Sequence, residues 1–254
     1  TTNDAGAPIA RWRRTMKDFA GKVAVITGAG SGFGREFARL GARLGMKLAL
    51  ADVQADALAA TVDELAGQGA TVFGERTDVS RAEDVERLAA RTLERYGAVH
   101  LVFNNAGVAL GASVETMEHQ DLEWLMGVNF WGVVHGTQAF LPHLRASGDG
   151  HVVNISSVFG LISIPTQSAY NAAKFGVRGL TKSVALDLGA AGVEMHLGLG
   201  DAGPRLQRLF DSQMAEKECV RVVGLGYQMI SYFQSFFSLR HPESDNLSNI
   251  QFSI

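Results

Sequence analysis

Residues 23–34 read Val-Ala-Val-Ile-Thr-Gly-Ala-Gly-Ser-Gly-Phe-Gly, and this run decides the fold. It joins a short β-rich stretch to a segment whose apolar residues recur at helical spacing. Glycines in such a link let the backbone turn sharply and approach a ligand, and the free N–H groups of the helix N-terminus can bind a pyrophosphate. The run therefore predicts a phosphate-binding turn, with a purely structural glycine turn as the alternative. The predicted binding residues are Gly28, Ser31, Gly32, Phe33 and Gly34.

The alternation of strand and helix continues along the chain from this turn. The predicted strands are Val23–Ile26, Lys47–Ala51, Thr71–Gly74, His100–Phe103, Val152–Ile155 and Val193–Leu197. The predicted helices are Gly34–Leu44, Gln54–Gly67, Ala82–Tyr96, Leu122–Leu144 and Ala169–Leu188. Most strand runs are continuously apolar, as expected of strands covered by helices on both faces. The pattern predicts an α/β fold of Rossmann type, a doubly wound parallel sheet in a single domain over residues 19–254.

The two ends of the chain lack this regularity. Residues 1–18 are predicted to form a flexible N-terminal arm, and the basic run Arg11–Arg14 is either solvated or contacts an acidic partner. Residues 198–254 form a divergent region in which Leu206–Phe237 is helix-like and carries an aromatic cluster. Those aromatics either pack against the sheet edge or line a substrate pocket or subunit interface.

Composition narrows the class of protein. Of the 254 residues, 46% are hydrophobic, 19% are charged and the net charge is -3, so a nucleic-acid partner is not expected. The single cysteine, Cys219, excludes an internal disulfide and a zinc site of several thiolates, and we expect metal-free chemistry. No apolar run is long enough to span a bilayer and no secretion signal is visible, so the expected location is the cytoplasm, with no membrane partner.

Asp52 indicates which dinucleotide the fold would bind. It closes the second predicted strand, 20 residues after Gly32. A carboxylate there can accept hydrogen bonds from ribose hydroxyls and would repel a 2′-phosphate. The expected cofactor is NAD rather than NADP, unless Asp52 is only a surface residue that begins the next turn.

Tyr170 and Lys174 are candidate catalytic residues because they stand four residues apart in a predicted helix. One helical turn places the phenol and the ammonium on the same face. A nearby cation favours phenolate and lowers a phenol pKa that is ordinarily near 10, which would let Tyr170 act as acid and base. Taken alone, this spacing also fits an ordinary solvated pair.

Ser157 gives the pair a context, since it follows the Val152–Ile155 strand and precedes the tyrosine by thirteen residues. Residues at strand ends line the ligand crevice of an open α/β sheet. The Ser157 hydroxyl can therefore bind a substrate oxygen and stabilise developing charge, while Ser156 should face away. A turn serine without chemistry is the alternative.

Together these residues resemble the short-chain dehydrogenase/reductase family over about Phe19–Val193. The motifs, in order, are Thr27–Gly34, Asn104–Gly107, Asn129, Ser157 and Tyr170–Lys174. The resemblance implies an NAD-dependent oxidoreductase with Asn129, Ser157, Tyr170 and Lys174 as catalytic residues. Asn129 would hold a water linked to the lysine through its backbone carbonyl, and Lys174 would also bind the nicotinamide ribose.

The resemblance implies further cofactor contacts. The segment Asn104–Gly107 would border the cofactor, with Asn105, Ala106 and Gly107 as binding residues. Asp78 and Val79 resemble the pair that contacts adenine, although Asp78 is locally an equally good cap for the helix that begins at Ala82.

The family pattern fails late in the chain. Where the family carries Pro-Gly and then a threonine, this sequence has Gly200-Asp201 and Arg205, and only Ile250–Ile254 stands in weakly for the late strand. Two hypotheses follow. The first is a working NAD-dependent dehydrogenase or reductase for a secondary alcohol or ketone. The second is a dinucleotide-binding protein with impaired or no catalysis.

The sequence does not identify the substrate. Apolar residues near Phe159–Ile164 favour an apolar alcohol or carbonyl compound. Resemblance implies a homodimer or homotetramer joined through the helices that begin near Leu122 and Ala169.

Overall fold

A computed structural model of the protein describes residues 16, 18–188, 193–199, 220–224 and 252–253. The predictions for residues 1–15, the departure at Gly200–Arg205 and the aromatic cluster of Tyr227–Phe237 lie outside the described residues.

The described chain alternates strands and helices. The strands are β1 (Val23–Thr27), β2 (Lys47–Asp52), β3 (Val72–Arg76), β4 (Leu101–Asn104), β5 (Val108–Ala109), β6 (Gly150–Ser156), β7 (Val193–Leu199), β8 (Val220–Gly224) and β9 (Phe252–Ser253). The helices are α1 (Gly32–Arg43), α2 (Ala55–Gly67), α3 (Ala82–Tyr96), α4 (His119–Met126), α5 (Gly132–Ser147) and α6 (Ser168–Asp187). A π-helical turn, Gly127–Trp131, joins α4 to α5, and a 3₁₀ turn, Val158–Gly160, follows β6.

The main sheet has the strand order β3-β2-β1-β4-β6-β7-β8, and each of its pairings is parallel. The order reverses at β1, which pairs with β2 on one side and β4 on the other. Strands β5 and β9 pair antiparallel in a separate ribbon. This is the doubly wound α/β sheet predicted from the sequence.

Two apolar layers cover the faces of the sheet, and the residues of β1 alternate between them. Val25 joins one cluster, in which α3, α5 and α6 contribute residues such as Leu88, Phe140 and Val177. Ala24 and Ile26 join the other, which α1 and α2 cover. Continuous apolar strands follow from this arrangement because both of their faces are buried. Met16, inside the predicted arm, is half-buried and packs against the second layer.

The six predicted strands and the first three helices are confirmed, with ends shifted by one or two residues. The predicted helix Leu122–Leu144 is interrupted by the π-helical turn.

The helix expected over Leu206–Phe237 is wrong at Val220–Gly224, which forms β8 beside β7. This segment is rich in valine, which favours strands. The late strand thus lies here rather than at Ile250–Ile254, where Phe252–Ser253 pairs with β5 instead. Among the helices of the described residues, none is long and apolar enough to cross a membrane.

Candidate active site

The site lies at the carboxyl ends of β1, β4 and β6, where the strand order reverses. In open parallel sheets the neighbouring strands part at this point and leave a crevice beyond their carboxyl ends. The turn after β1, the turn after β4 and the start of α6 all reach this edge.

Two glycines of the turn after β1 meet tight steric limits. Gly28 has φ of 67°, and a β-carbon there would lie 2.8 Å from Ala106 Cα. A β-carbon on Gly34 would lie 2.0 Å from the Gly28 carbonyl oxygen. Side chains at these positions would push the turn open, so the glycines hold α1 close to β1.

The N-terminus of α1 points its first N–H groups into the crevice. Ser31 is the N-cap in extended conformation, and within the described residues its side chain makes no capping hydrogen bond. Gly32 follows with φ of 50°, and the Phe33 ring stacks on Phe37 with centroids 6.2 Å apart. Unpaired N–H groups at a helix start, together with the helix dipole, are suited to bind a phosphate.

Asp52 closes β2 beside this turn. Its Oδ2 accepts a hydrogen bond from Gly30 N at 2.8 Å, and its Oδ1 accepts one from Gln54 N at 2.9 Å. Arg35 donates to the Gly30 carbonyl from the other side and to Thr61 Oγ1. The carboxylate is therefore fixed in orientation at the edge where a ribose would lie.

The turn after β4 is tied to the end of β1 by Thr27. Its hydroxyl accepts hydrogen bonds from Asn105 N at 3.0 Å and Ala106 N at 3.1 Å. The Asn105 side chain donates to the Thr27 carbonyl at 2.9 Å. Because these bonds are buried, they hold the two turns in register.

Asn104, the last residue of β4, is buried, and its side chain hydrogen-bonds within the fold. Its Nδ2 donates to Asn154 Oδ1 at 2.8 Å, and Asn154 in turn donates to Thr181 Oγ1 at 3.0 Å. This buried chain of amides links β4, β6 and α6, so Asn104 supports the edge of the sheet from inside.

Asn129 occupies the π-helical turn and is fully buried. Its Oδ1 accepts from Val108 N at 2.8 Å, and its Nδ2 donates to Val108 O at 2.7 Å. The wider π-helical turn leaves room for the side chain to point inward, where its amide pairs with β5. Gly107 lies next to it, since a β-carbon there would stand 3.3 Å from Asn129 Oδ1.

Asp78 and Val79 come after β3, at the carboxyl edge of the sheet. Asp78 Oδ1 accepts from Ser80 N at 3.0 Å and from Ser80 Oγ at 2.6 Å. The N-cap of α3 is Arg81, so the alternative interpretation of Asp78 as the cap is wrong. Val79 packs against α5, where a β-carbon on Gly132 would come within 2.7 Å of its side chain.

Ser157 directly follows β6. Its Oγ accepts from Phe159 N at 3.2 Å, and its hydroxyl lies near enough to the Tyr170 phenol to lower the pKa of that phenol. The neighbouring Ser156 hydroxyl donates to the Lys174 carbonyl at 2.9 Å and is buried, so it faces away from the phenol as predicted.

Tyr170 and Lys174 lie on the inner face of α6 and are both buried. Lys174 Nζ donates to the Ile155 carbonyl at 2.9 Å and stands 5.5 Å from the centre of the tyrosine ring. Burial raises the pKa of Tyr170 to about 12, partly offset by the hydrogen bond with Ser157. Burial lowers the pKa of Lys174 to about 8. The pKa of Tyr170 is thus raised by burial, and not lowered as the neighbouring lysine led us to expect.

A cavity of about 420 Å³ lies beside α6. Its lining residues are Ser163, Ile164, Ser168, Asn171, Ala172 and Phe175. Part of the apolar segment Phe159–Ile164 thus faces this cavity rather than the phenol of Tyr170.

The structure brings Ser157, Tyr170, Lys174, Gly107 and Asn129 together at one end of the crevice. The glycine turn and Asp52 form its other end. Sequence reasoning missed the hydrogen bonds of Thr27 and Asn154. Thr27 begins the glycine motif, and Asn154 lies three residues before Ser157 in the predicted strand.

The strand order, the glycine turn after β1 and the crevice together define a Rossmann-type nucleotide-binding protein. A family model described as short chain dehydrogenase matches residues 22–197, and the chain belongs to that family.

Two of the proteins similar to this chain are, by name, an oxidoreductase and a dehydrogenase. The chain is 53% identical over 169 residues to the protein SadH of Mycobacterium tuberculosis, a match that covers 66% of this chain and 61% of SadH. It is 37% identical over 180 residues to a cyclohexanol dehydrogenase of an Acinetobacter species, which covers 70% of this chain and 71% of that protein. The chain thus spans about three fifths of the length of SadH.

A solved short-chain dehydrogenase/reductase of Burkholderia phymatum in complex with NAD has a similar fold. The two structures match with a TM-score of 0.72 at 37% sequence identity. The match covers 92% of this chain and 100% of that chain. A metagenomic short-chain oxidoreductase in complex with NADP gives a TM-score of 0.71 at 27% identity, covering 82% and 97%.

Proposed function

We propose that the protein transfers a hydride between NAD(H) and a secondary alcohol or ketone, with Tyr170 as general acid and base. The observation that carries this proposal is the convergence of three groups beside the crevice. The Ser157 hydroxyl lies near enough to the Tyr170 phenol to lower its pKa, and Lys174 Nζ stands 5.5 Å from the centre of the Tyr170 ring. Lys174 Nζ also lies 3.7 Å from the position of a β-carbon on Gly107. Gly107 belongs to the turn after β4 that borders the nucleotide crevice.

The residues that would hold the dinucleotide fit such a ligand. The α1 N-terminus offers N–H donors for the pyrophosphate, and the close approach of Gly28 and Gly34 keeps the backbone near it. Asp52 would bind the ribose at the adenine end, where Asp78 and Val79 border the base. Asn105, Ala106 and Gly107 line the middle, and Lys174 would bind the nicotinamide ribose. The nicotinamide, when bound, supplies the hydride donor or acceptor.

The proton moves through the chain's own residues. Ser157 would orient the substrate oxygen and stabilise charge on it, while Tyr170 gives or takes the hydroxyl proton. The ammonium of Lys174 favours the phenolate form. Asn129 would hold a water by its backbone carbonyl and connect Lys174 to solvent. Since Lys174 has a pKa lowered to about 8, it can exchange a proton near neutral pH.

A substitution of the phenol tests this assignment. In Tyr170→Phe we expect kcat to fall by roughly 10²–10⁴-fold, because general acid–base catalysis contributes about that factor. Affinity for NADH, measured by fluorescence titration, should change little. Tyr96→Phe is the matched control: Tyr96 ends α3, its hydroxyl donates to the Leu48 carbonyl of β2, and turnover should be retained. Secondary alcohols such as cyclohexanol and 3-hydroxybutyrate would form the substrate panel at alkaline pH.

The outcome also separates the two hypotheses formed from the sequence. Near wild-type turnover in Tyr170→Phe contradicts the catalytic role of the phenol. Firm NADH binding by the unmodified protein, with neither reduction of NAD on these alcohols nor oxidation of NADH on the corresponding ketones, favours a dinucleotide-binding protein without catalysis.

We propose NAD over NADP because of the fixed carboxylate of Asp52. Its two hydrogen bonds from Gly30 N and Gln54 N prevent it from turning away from a 2′-phosphate. We expect a higher kcat/KM with NADH than with NADPH. Asp52→Asn should reduce the ratio of the kcat/KM for NADH to that for NADPH. A wild-type enzyme that prefers NADPH contradicts this choice, and the relative solved with NADP makes the measurement necessary.

We also propose that residues 19–254 form one domain and that the protein is a homodimer or homotetramer. Exposed aromatic side chains on neighbouring helices support a subunit contact: Trp124 on α4, Trp131 in the π-helical turn and Phe175 on α6. Light scattering on the purified chain tests the assembly. A monomer at micromolar concentration would contradict it.

A further inference from the structure

The amino edge of the sheet carries a second cluster of polar residues, at the opposite end of β6 from Ser157. His151 is the second residue of β6, and Glu194 and His196 lie on β7. In the parallel register His151 pairs with Glu194 and Val153 with His196. Since alternate residues of a strand share a face, the three side chains point to the same side of the sheet.

The three side chains are close enough to share one ligand. His151 Nδ1 stands 3.0 Å from His196 Nε2, and the two imidazoles stack with centroids 5.3 Å apart. Glu194 Oε2 lies 4.0 Å from the same His196 nitrogen. One possible ligand atom from each residue falls within 4.8 Å of the others. Ligand atoms around a tetrahedral zinc ion are about 3.4 Å apart at bond lengths near 2.1 Å, so only small shifts are needed.

Burial gives the cluster a reason to bind a cation. His151 is 4% exposed and His196 is 9% exposed. Among the described residues, no hydrogen-bond partner reaches Glu194 Oε1, which is itself buried. A buried carboxylate oxygen without a partner is costly, and a cation among the three groups would offset that cost.

Asp149 contacts His151 at Nε2, the ring nitrogen that does not face His196. Its Oδ1 lies 3.5 Å from His151 Nε2, and its Oδ2 accepts a hydrogen bond from Lys22 Nζ at 3.3 Å. When a histidine binds a metal through one ring nitrogen, a carboxylate on the other nitrogen orients the ring and increases its basicity.

We propose that His151 Nδ1, His196 Nε2 and the Glu194 carboxylate form a zinc site that cross-links β6 and β7. Two imidazoles and a carboxylate suit Zn²⁺, whereas Mg²⁺ prefers a shell of oxygens. The site lies about 20 Å from Ser157, six residues along an extended strand, so its role is structural and separate from the proposed hydride transfer. The expectation of a metal-free protein rested on the single cysteine and did not consider histidines brought together by two strands.

Metal binding by the 254-residue chain tests the site directly. After dialysis against a chelator, we expect one Zn²⁺ per chain by calorimetry, and a thermal midpoint raised by roughly 5–10 °C at a hundredfold excess over Kd. Co²⁺ should give the strong visible absorption of a tetrahedral site. Mg²⁺ should produce neither effect.

Matched variants show whether the named residues bind the ion. Glu194→Gln keeps the shape of the side chain and should weaken Zn²⁺ binding at least tenfold, and His151→Gln should do the same. His119→Gln removes an exposed histidine that stands 3.2 Å from Glu123 and should leave binding unchanged. The proposal is overturned if wild-type protein takes up no Zn²⁺, or if Glu194→Gln and His151→Gln, folded by circular dichroism, bind it as tightly as wild type. The Co²⁺ spectrum of the wild type tests the site even if a variant does not fold.

Discussion

At the carboxyl edge of the sheet, Asn105, Asn154 and Lys174 use their hydrogen bonds to join one element to another. At the amino edge, His151 Nδ1 and His196 Nε2 stand 3.0 Å apart and join β6 to β7. Both edges contain buried polar groups in an otherwise apolar sheet. Polar groups at the carboxyl edge fix the shape of a crevice, whereas those at the amino edge gather potential ligand atoms around one point.

The difference shows why a single sheet can hold two kinds of site. Loops leave the carboxyl edge between strands that part, so backbone donors and side chains surround an open space. The amino edge has no such parting between β6 and β7, which remain paired from Gly150 to Ser156. A site there has to be built from side chains on adjacent strands and is therefore small.

The largest effect that would test this comparison is expected from Gly34→Ala. The added β-carbon would lie 2.0 Å from the Gly28 carbonyl and force α1 away from β1. We expect a loss of about 3 kcal/mol in the free energy of unfolding, as for an overpacked site. Affinity for NADH should fall at least tenfold. Urea unfolding and fluorescence titration measure both quantities.

The matched variant at the amino edge is Gly67→Ala. It places a β-carbon at the end of α2 with no atom of the structure within 4 Å. Since alanine is the better helix former, stability should rise by about 0.5–1 kcal/mol. Equal losses in the two variants would show that the carboxyl edge is not specially constrained.

A smaller loss is expected from Asn154→Leu. The substitution removes the acceptor of Asn104 and the donor to Thr181 within the buried amide chain. Leaving those partners unsatisfied should cost about 2–3 kcal/mol in urea unfolding. Ser147→Ala, which removes a half-buried bond to Leu144 O near the amino edge, should cost about 1 kcal/mol or less. If Asn154→Leu were neutral, the amide chain would have no part in holding the edge.

Much of the carboxyl edge could be predicted from sequence because its residues follow strands directly. A glycine run after β1, a serine after β6 and a tyrosine–lysine pair within one helical turn are local signals. The continuous apolar runs that predicted the strands reflect burial on both faces, which is why β1, β2, β3, β4, β6 and β7 were found and the two-residue strand β5 was not. The π-helical turn at Asn129 had no such signal, since the spacing of apolar residues continues through it.

Other features depend on contacts between distant segments. The side chain of Asn104 hydrogen-bonds Asn154, which lies 50 residues further along the chain, and the N-cap of α3 is Arg81 rather than Asp78. Spacing along the sequence shows neither fact. The pKa of Tyr170 follows from burial beneath the loops, not from its distance to Lys174 along the helix. The zinc ligands come from two strands, although the alternation Glu194-x-His196 is a signal that could have been noticed.

The pH dependence of stability gives a third test, through the two ionisable groups buried at the carboxyl edge. The pKa of Lys174 is lowered to about 8 from 10.5, so between these values the unfolded chain binds more protons than the folded one. Stability due to this lysine therefore rises as the pH increases from 8 to 10.5. The difference in unfolding free energy between wild type and Lys174→Met should move in favour of wild type over that range.

Tyr170 should behave in the opposite sense. Its pKa is raised to about 12 from 10, so the folded chain keeps the proton that the unfolded chain loses. The advantage of wild type over Tyr170→Phe should be present below pH 10 and shrink above it. Urea unfolding at intervals from pH 7 to 11 measures both differences. If the difference in unfolding free energy between wild type and each variant did not change with pH, the two groups would not be buried in the folded protein.

The smallest effect concerns backbone strain in the segment that leads into α6. Thr166 has φ of 64°, the left-handed region that β-branched residues avoid, and its carbonyl accepts a hydrogen bond from Ala112 N at 2.9 Å. The amino edge has a glycine in the same conformation, Gly148 with φ of 70°, with no atom within 4 Å of an added β-carbon. Thr166→Gly should therefore stabilise the protein by up to about 1 kcal/mol, and Gly148→Ala should destabilise it by about the same amount. If Thr166→Gly instead lowered the urea midpoint as Gly148→Ala does, the threonine would not be strained, and the carboxyl edge would store no more conformational energy than the amino edge.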